Sequence, residues 1–351
     1  MSEVFTLGDF ATHIAANILN YLPAEYENAK VQTNHVVKNN NIVLTGILIR
    51  KDGSNLCPNI YLNDLYDKYL QDNDLEFCLK QVAMLRVKHD SSENMDISDI
   101  TDFERVKDKI LPKLLNTEMN SEYLLDKPHK EMEDLSIVYY IDLESRNLGD
   151  GSGRASVPIT NNLLEMYGLS VEELHSLALE NLSNMKIEFM SMRDMLVQTM
   201  FPDGVPDDPA VQMMLPPQEE SPSMYVLSNE ARINGAVAIL NHDTMKGISD
   251  QLGGADYAIL PSSIHEVIVL PITDKISFEE LEGIVQEVNA TQVSPGERLS
   301  DRVYCYDSAR EEVVLADKMN ERLKENHAAK TAGSVDAAQE SQMNMRRHRG
   351  R

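Results

Sequence analysis

The sequence predicts an α+β protein with mixed, largely antiparallel sheets and flanking helices, arranged in two subdomains and followed by a disordered C-terminal tail. Three observations predict it. Paired apolar runs around a short polar turn, the signal of a β-hairpin, stand at both ends of the folded part, over residues 31–49 and 303–315. Helical stretches fall between them in irregular order, without the steady strand–helix alternation of a parallel sheet. No Gly-rich loop joins a strand to a helix, which excludes a Rossmann fingerprint and a P-loop.

Thr6 followed by Asp9 opens a helix from Leu7 to about Tyr21 in the manner of a capping box, and Phe10, Ile14, Ile18 and Leu22 recur at helical spacing until Pro23 stops it. Val31–Val37 and Ile42–Ile49 flank Asn39, Asn40 and Asn41 as a hairpin, with Pro58–Leu62 as a third strand. Asn63 is placed to cap a helix over Asp64–Gln71, and Leu75, Cys78, Leu79, Val82 and Leu85 form the apolar stripe of a longer one ending near Val87. Residues 89–101 read as an acidic surface loop, and Phe103–Ile110 as a helix halted near Pro112.

The texture changes around Asp126–Lys130, where a boundary is expected. Leu135–Leu143 is a strand, Gly149–Gly153 a flexible turn and Ala155–Ile159 a second strand. Helices follow at Thr160–Tyr167, at Ser170–Leu182 with Glu173 completing a capping box, and through the methionine-dense run Met185–Met200. Residues 201–223 hold six prolines and read as a surface loop. Short apolar runs at Met224–Leu227 and Ala236–Leu240 precede helices at Thr244–Leu252 and Ser277–Val288, and Val303–Tyr306 with Val313–Leu315 close the fold. The expected division is 1–125, 126–315 and a polar tail 316–351 ending in Arg346-Arg-His-Arg-Gly-Arg351.

The formal charge is −25 over 351 residues, and the tail carries +3 of it, leaving −28 on the body. Such a body repels nucleic-acid phosphates, so direct nucleic-acid binding by it is not expected. Cys57, Cys78 and Cys305 are odd in number and widely spaced, neither a disulfide framework nor a zinc knuckle. No signal peptide opens the chain and no run approaches the ~20 apolar residues of a membrane span, so a reducing cytoplasm is the expected compartment.

The most informative stretch joins Ile259-Leu260 to Val267–Leu270 through a polar knot of Ser262, Ser263, His265 and Glu266. These are the residue types of a hydrolytic triad, which needs a base within reach of the hydroxyl and a third group to orient it. If residues 263–267 were extended, Ser263 and His265 would share a face and Glu266 would point away from them. There is also no Gly-x-Ser-x-Gly elbow. The expectation is therefore a recognition or bracing element. His265 should be neutral and donate a ring hydrogen to a carbonyl or carboxylate. Asn241, His242 and Asp243 offer metal-ligand types, but no short His spacing supports them, and Asn241 or Asp243 fits better as an N-cap. The pattern calls for no metal and no cofactor. Met185, Met190, Met192, Met195, Met200, Met213 and Met214 can form core filler or an adaptable binding surface.

Tyr225-Val-Leu-Ser-Asn229, Gly235–Leu240, the string Leu260-Pro-Ser-Ser-Ile-His-Glu266, and Val288-Asn-Ala-Thr-Gln-Val293 with Leu299-Ser-Asp301 resemble a bacterial family of unknown function, family 5688, of anaerobic gut bacteria. Leu135–Tyr140 and Ala178–Asn181 extend the resemblance over most of residues 100–315. It implies a cytoplasmic protein, often among mobile-element or accessory genes, and carries no activity. It adds Asn229 and Asn289 to the candidate binding residues Ser262, Ser263, His265 and Glu266. The leading expectation is a non-catalytic interaction protein with an unidentified protein partner and no membrane role. The alternatives are a hydrolase or other small-molecule enzyme centred on Ser263, His265 and Glu266, and an acidic decoy imitating nucleic acid.

Overall fold

A computed structural model describes residues 4–55, 57–90, 96–143, 156–216, 224–272 and 277–325. The chain divides into two units, residues 1–185 with 294–297, and residues 186–293 with 298–351.

In the first unit, α1 (Leu7–Asn17) starts where the Thr6 side chain accepts from the Asp9 N–H, and a 3-10 turn carries it to Tyr21. The strands β1 (Lys30–Val37), β2 (Val43–Arg50) and β3 (Asn59–Tyr61) form an antiparallel sheet in that order. Asn40 and Asn41 take φ of 59° and 52° in the hairpin connection, a left-handed turn that asparagine tolerates better than most side chains. Next come α2 (Asn63–Asp72) and α3 (Leu75–Lys88), and the core between helices and sheet holds Phe10, Ile14, Ile47, Ile49, Tyr69, Cys78 and Val82. Asn63 does not cap α2. It is the first helical residue, and its Oδ1 accepts from the Thr45 N–H at 2.9 Å, which ties the helix to β2.

Two one-turn helices, α4 (Ser98–Thr101) and α5 (Phe103–Val106), lead into β4 (Ile110–Asn116). The helix expected over Phe103–Ile110 is present as α5 and a 3-10 turn to Lys109, and the residues around Pro112 that follow it form a strand. Proline is tolerated because β4 lies at one end of its sheet, where a missing N–H costs no ladder bond on the outer side. The sheet is β4, β6 (Leu135–Asp142) and β5 (His129–Met132), with β7 (Ser156–Pro158) also on β6, all antiparallel. Asp126–Lys130 lies within this unit, leading into β5. One helix, α6 (Asn161–Tyr167), follows β7. Its successor α7 (Val171–Ser183) opens with the Ser170/Glu173 capping box and buries Leu174, Ala178 and Leu182. The Tyr139 hydroxyl meets His175 Nδ1 at 2.9 Å, linking β6 to α7. The Gly149–Gly153 turn lies outside the described residues.

The second unit begins with β8 (Ile187–Ser191), where the sequence predicts helix from Met185. Pairing with β9 (Tyr225–Asn229) and the stacking of Phe189 on Tyr225, 4.7 Å between ring centroids, outweigh helical preference there. The helix starts later, as α8 (Met192–Met200), capped by Ser191, and a short α9 (Pro209–Met214) lies in the proline-rich segment. After β9, the run 235–240 is a 3-10 helix, leading to α10 (His242–Gln251). The rest is β10 (Tyr257–Leu260), β11 (Val267–Pro271), α11 (Phe278–Thr291), β12 (Tyr304–Asp307), β13 (Glu312–Leu315) and a helix over 316–325. Six strands form one antiparallel sheet ordered β13-β12-β10-β11-β9-β8.

Both faces of this sheet are covered, which explains its unbroken apolar runs. Ala258, Leu260, Cys305 and Val314 pack with Leu281 and Val285 of α11, and Met319. On the other face Tyr257 donates to the Met245 carbonyl of α10 at 2.9 Å and stacks on Tyr306. Of the tail expected over 316–351, residues 316–325 are helical with Ala316 and Met319 buried, a correction to the disorder expected there, and the part beyond 325 lies outside the described residues. Among the described residues no helix is long and apolar enough to cross a membrane.

Candidate functional site

The knot lies between β10 and β11, which pair antiparallel with Leu260 opposite Ile268. Residues 263–266 turn instead of extending, so the strand-face relationship expected for Ser263, His265 and Glu266 does not arise. The Ser263 N–H donates to the Glu266 carbonyl at 3.2 Å, and the Ser263 hydroxyl accepts the His265 backbone N–H at 3.0 Å. That hydroxyl is bonded to the histidine's main chain and not to its ring. Ser262 and Glu266 are half-buried, and among the described residues their side chains make no hydrogen bond.

The segment after β9 supplies the knot's other partners. Ser228, 3% exposed, donates its hydroxyl to the His265 carbonyl at 2.8 Å, and the Ala236 N–H donates to the Ile264 carbonyl at 3.3 Å. The Asn234 N–H donates to His265 Nδ1 at 3.2 Å. At that nitrogen the ring accepts a backbone hydrogen, so Nδ1 carries no proton and the single ring hydrogen of a neutral imidazole, expected to be donated, belongs to Nε2. Gly235 is where the two segments approach most closely. A Cβ there would fall 2.2 Å from Ser228 Oγ and 2.5 Å from the His265 carbonyl oxygen.

Asn229 belongs to the same assembly. It is buried, its Oδ1 accepts from the Ile233 N–H at 3.1 Å, and its Nδ2 donates to the Ile233 carbonyl at 2.8 Å. Those two bonds close a tight loop in which Arg232 holds a φ of 51°, and Asn234, just after it, holds 53°. Asn289 is placed elsewhere, on α11. Its Nδ2 donates to the Ser300 carbonyl at 2.9 Å and to Asp301 Oδ1 at 2.7 Å, so it shares no hydrogen bond with the knot residues. Asn241 caps α10 by accepting from the Thr244 N–H, and His242 Nε2 lies 3.1 Å from Glu311. Among the described residues no group of three His, Cys, Asp or Glu side chains is arranged to hold a metal ion.

The loop that braces the knot also builds a second feature. Arg232 projects toward α8, donating to Gln198 Oε1 at 3.1 Å and approaching Met190 Sδ at 3.8 Å. With Glu188, Glu230, Gln198 and Thr199 it lines a cavity of about 320 Å³. No carboxylate pairs with Arg232 or Lys with Glu188 among the described residues, although Lys186 pairs with Glu230. Sequence reasoning missed this cavity. The signal available was the charged spacing Glu230–Arg232 beside a methionine-rich segment.

Elsewhere in this unit apolar side chains of α8 and α9 are open to solvent. Helix α8 buries none of its residues, Leu196 is 43% exposed and Met200 52%, and Met213 of α9 reaches 88%. Arg193 Nε donates to the Pro216 carbonyl at 2.9 Å, which ties that residue of the proline-rich segment to α8. Strand β8 stands at the end of its sheet, with β9 as its partner.

An antiparallel α+β fold with a braced turn and an open methionine surface defines a class by architecture and not by a reaction. The chain belongs to a family of unknown function (DUF5688), whose model matches residues 7–308 and so takes in the first unit as well. Neither a curated protein nor a solved structure matches the chain.

Proposed function

We propose that this protein is a non-catalytic bacterial interaction protein of the cytoplasm that takes an apolar segment of a protein partner on the surface formed by β8, α8 and α9. The observation carrying this reading is the exposure of Leu196, Met200, Met213 and Met214 beside a terminal strand. Methionine side chains are flexible and polarizable, so they suit a surface that adapts to an incoming apolar helix or strand. Arg232 and Glu188, in the adjoining cavity, supply charges that fix the partner's orientation more than its affinity. The −28 body favours a protein partner over nucleic acid.

In this reading the knot is the brace that holds the Asn229–Gly235 loop, and hence Arg232, in place. Quantitative co-purification tests it, comparing the wild type with a Leu196→Asp/Met213→Asp variant and with Ser263→Ala. A defined partner should be lost from the first variant and retained by the second. Equal recovery from both variants would remove the methionine surface from the proposal. A hydrolytic activity abolished by Ser263→Ala and by His265→Ala, with folding intact, would put an enzyme in its place.

A further inference from the structure

The cavity beside Arg232 holds opposite charges that do not meet. Arg232 and Glu188 both line its volume of about 320 Å³, yet among the described residues neither forms an ion pair. Glu230, the third charge on its wall, pairs with Lys186, and both of those side chains are exposed. Arg232 gives an Nη2 hydrogen to Gln198 Oε1 at 3.1 Å and stands 3.8 Å from Met190 Sδ. Its Nε and Nη1 hydrogens have no acceptor among the described residues. The Glu188 carboxylate, on half-buried β8, has no donor among them either.

Arg232 reaches the cavity from a strained backbone. Its φ of 51° lies in the left-handed region, where the Cβ of an ordinary side chain crowds the main chain. The two hydrogen bonds from Asn229 to Ile233 hold the loop closed around it, at 2.8 and 3.1 Å. Glycine or asparagine would take this position at less cost, so stability does not account for an arginine there. Residues held in such conformations by their surroundings concentrate at ligand sites.

An arginine and a glutamate that share a cavity without touching are bridged by a ligand bringing the opposite charge to each. A lone carboxylate answers Arg232 but is repelled by Glu188, and a lone amine meets the reverse. An α-amino acid carries both groups on one carbon. We propose that this cavity binds a free α-amino acid, its carboxylate on the Arg232 guanidinium and its ammonium on Glu188. The planar guanidinium matches a carboxylate through two parallel hydrogen bonds. Met190, beside that guanidinium, offers a soft apolar surface to the ligand's side chain, which favours an apolar amino acid. The volume falls at the lower end of the ~300–1,000 Å³ of small-molecule sites, as a ligand of this size requires. The proposal goes beyond the partner reading, which uses the same two charges only to orient a protein.

Titration calorimetry of the full chain with L-leucine tests this, with N-acetyl-L-leucine and L-leucinamide as probes that lack the ammonium and the carboxylate. The wild type should bind leucine at least tenfold more tightly than either blocked form. Arg232→Asn and Glu188→Gln should each weaken leucine binding tenfold or more, while Lys80→Met, which removes an exposed lysine paired with Glu76, should not. Asparagine tolerates the left-handed backbone, so Arg232→Asn should melt at or above the wild-type temperature, which separates lost binding from lost folding. Leucine should raise the melting temperature of the wild type and not that of Arg232→Asn. Absence of leucine binding, equal binding by the wild type and Arg232→Asn, or equal affinity for a blocked form would overturn the proposal.

Discussion

The backbone N–H of Asn234 donates to His265 Nδ1 at 3.2 Å, joining the loop after β9 to the turn between β10 and β11. His265 also offers its carbonyl to Ser228, so one residue holds the loop through both ring and main chain. Replacing it with alanine keeps the carbonyl contact and leaves the Asn234 N–H without its acceptor. His265→Ala should therefore cost about 1–3 kcal/mol in urea unfolding. Chelators should leave the melting temperature unchanged. Stoichiometric zinc or iron that disappears with His265→Ala would make the histidine a ligand instead of a brace.

Gly235 tests the same junction through space. Its added Cβ would stand 2.5 Å from the His265 carbonyl oxygen and 2.7 Å from the Asn229 nitrogen, both main-chain atoms unable to swing aside. Gly235→Ala should destabilise by about 1–3 kcal/mol or more. Gly247, in α10, has no such neighbour within 4 Å. Gly247→Ala should instead stabilise by about 0.5–1 kcal/mol through helix propensity. Similar effects at both positions would mean that the loop does not press on the knot.

Most of the elements were legible because local signals agreed with burial. Thr6, Ser170 and Ser277 cap the helices they were expected to open, and the apolar runs around the knot pair as β10 and β11. The failures occur where a distant partner decides. Ile110–Asn116 carries a proline that reads as a helix stop, yet β6 recruits it as a strand. Met185–Met200 has helical composition, yet β9 claims its first half. At the knot the residue types were visible, but Ser228 and Asn234 stand 37 and 31 positions from His265, and neither they nor Gly235 carry a mark of where they pack.

Asn40 and Asn120, 80 positions apart, show the same limit inside the first unit. The Asn40 N–H donates to Asn120 Oδ1 at 2.8 Å and Asn120 Nδ2 donates to Asn40 Oδ1 at 2.9 Å. Asn40→Gly retains the left-handed turn and removes the side-chain half of the pair, while Asn120→Ala removes both halves. A double-mutant cycle should give a coupling energy of about 0.5–1.5 kcal/mol. Strict additivity would show that the reciprocal bonds do not anchor the hairpin turn.

The last prediction concerns Arg86, whose side chain is 1% exposed in α3. Its Nε donates to the Ile49 carbonyl at 2.9 Å, its guanidinium lies 4.8 Å from the centroid of the Tyr26 ring, and its Nη1 meets Asp90 at 2.9 Å. Burial alone would raise the Asp90 carboxyl, but hydrogen bonds from its neighbours, among them Lys51 and Arg86, hold it below the usual range. A carboxyl lowered on folding adds stability above its unfolded value and loses that stability as pH falls through its folded value. The wild type should therefore lose this contribution below about pH 4. Asp90→Ala leaves a buried guanidinium without its counter-charge and should cost about 3–5 kcal/mol at pH 7. The gap between the two proteins should narrow in acid, as the wild-type carboxyl takes up a proton and also ceases to neutralise Arg86. Chemical denaturation at pH 7 and pH 3 measures both, and a gap that stays constant or widens in acid would show that the ion pair is not the source of the cost.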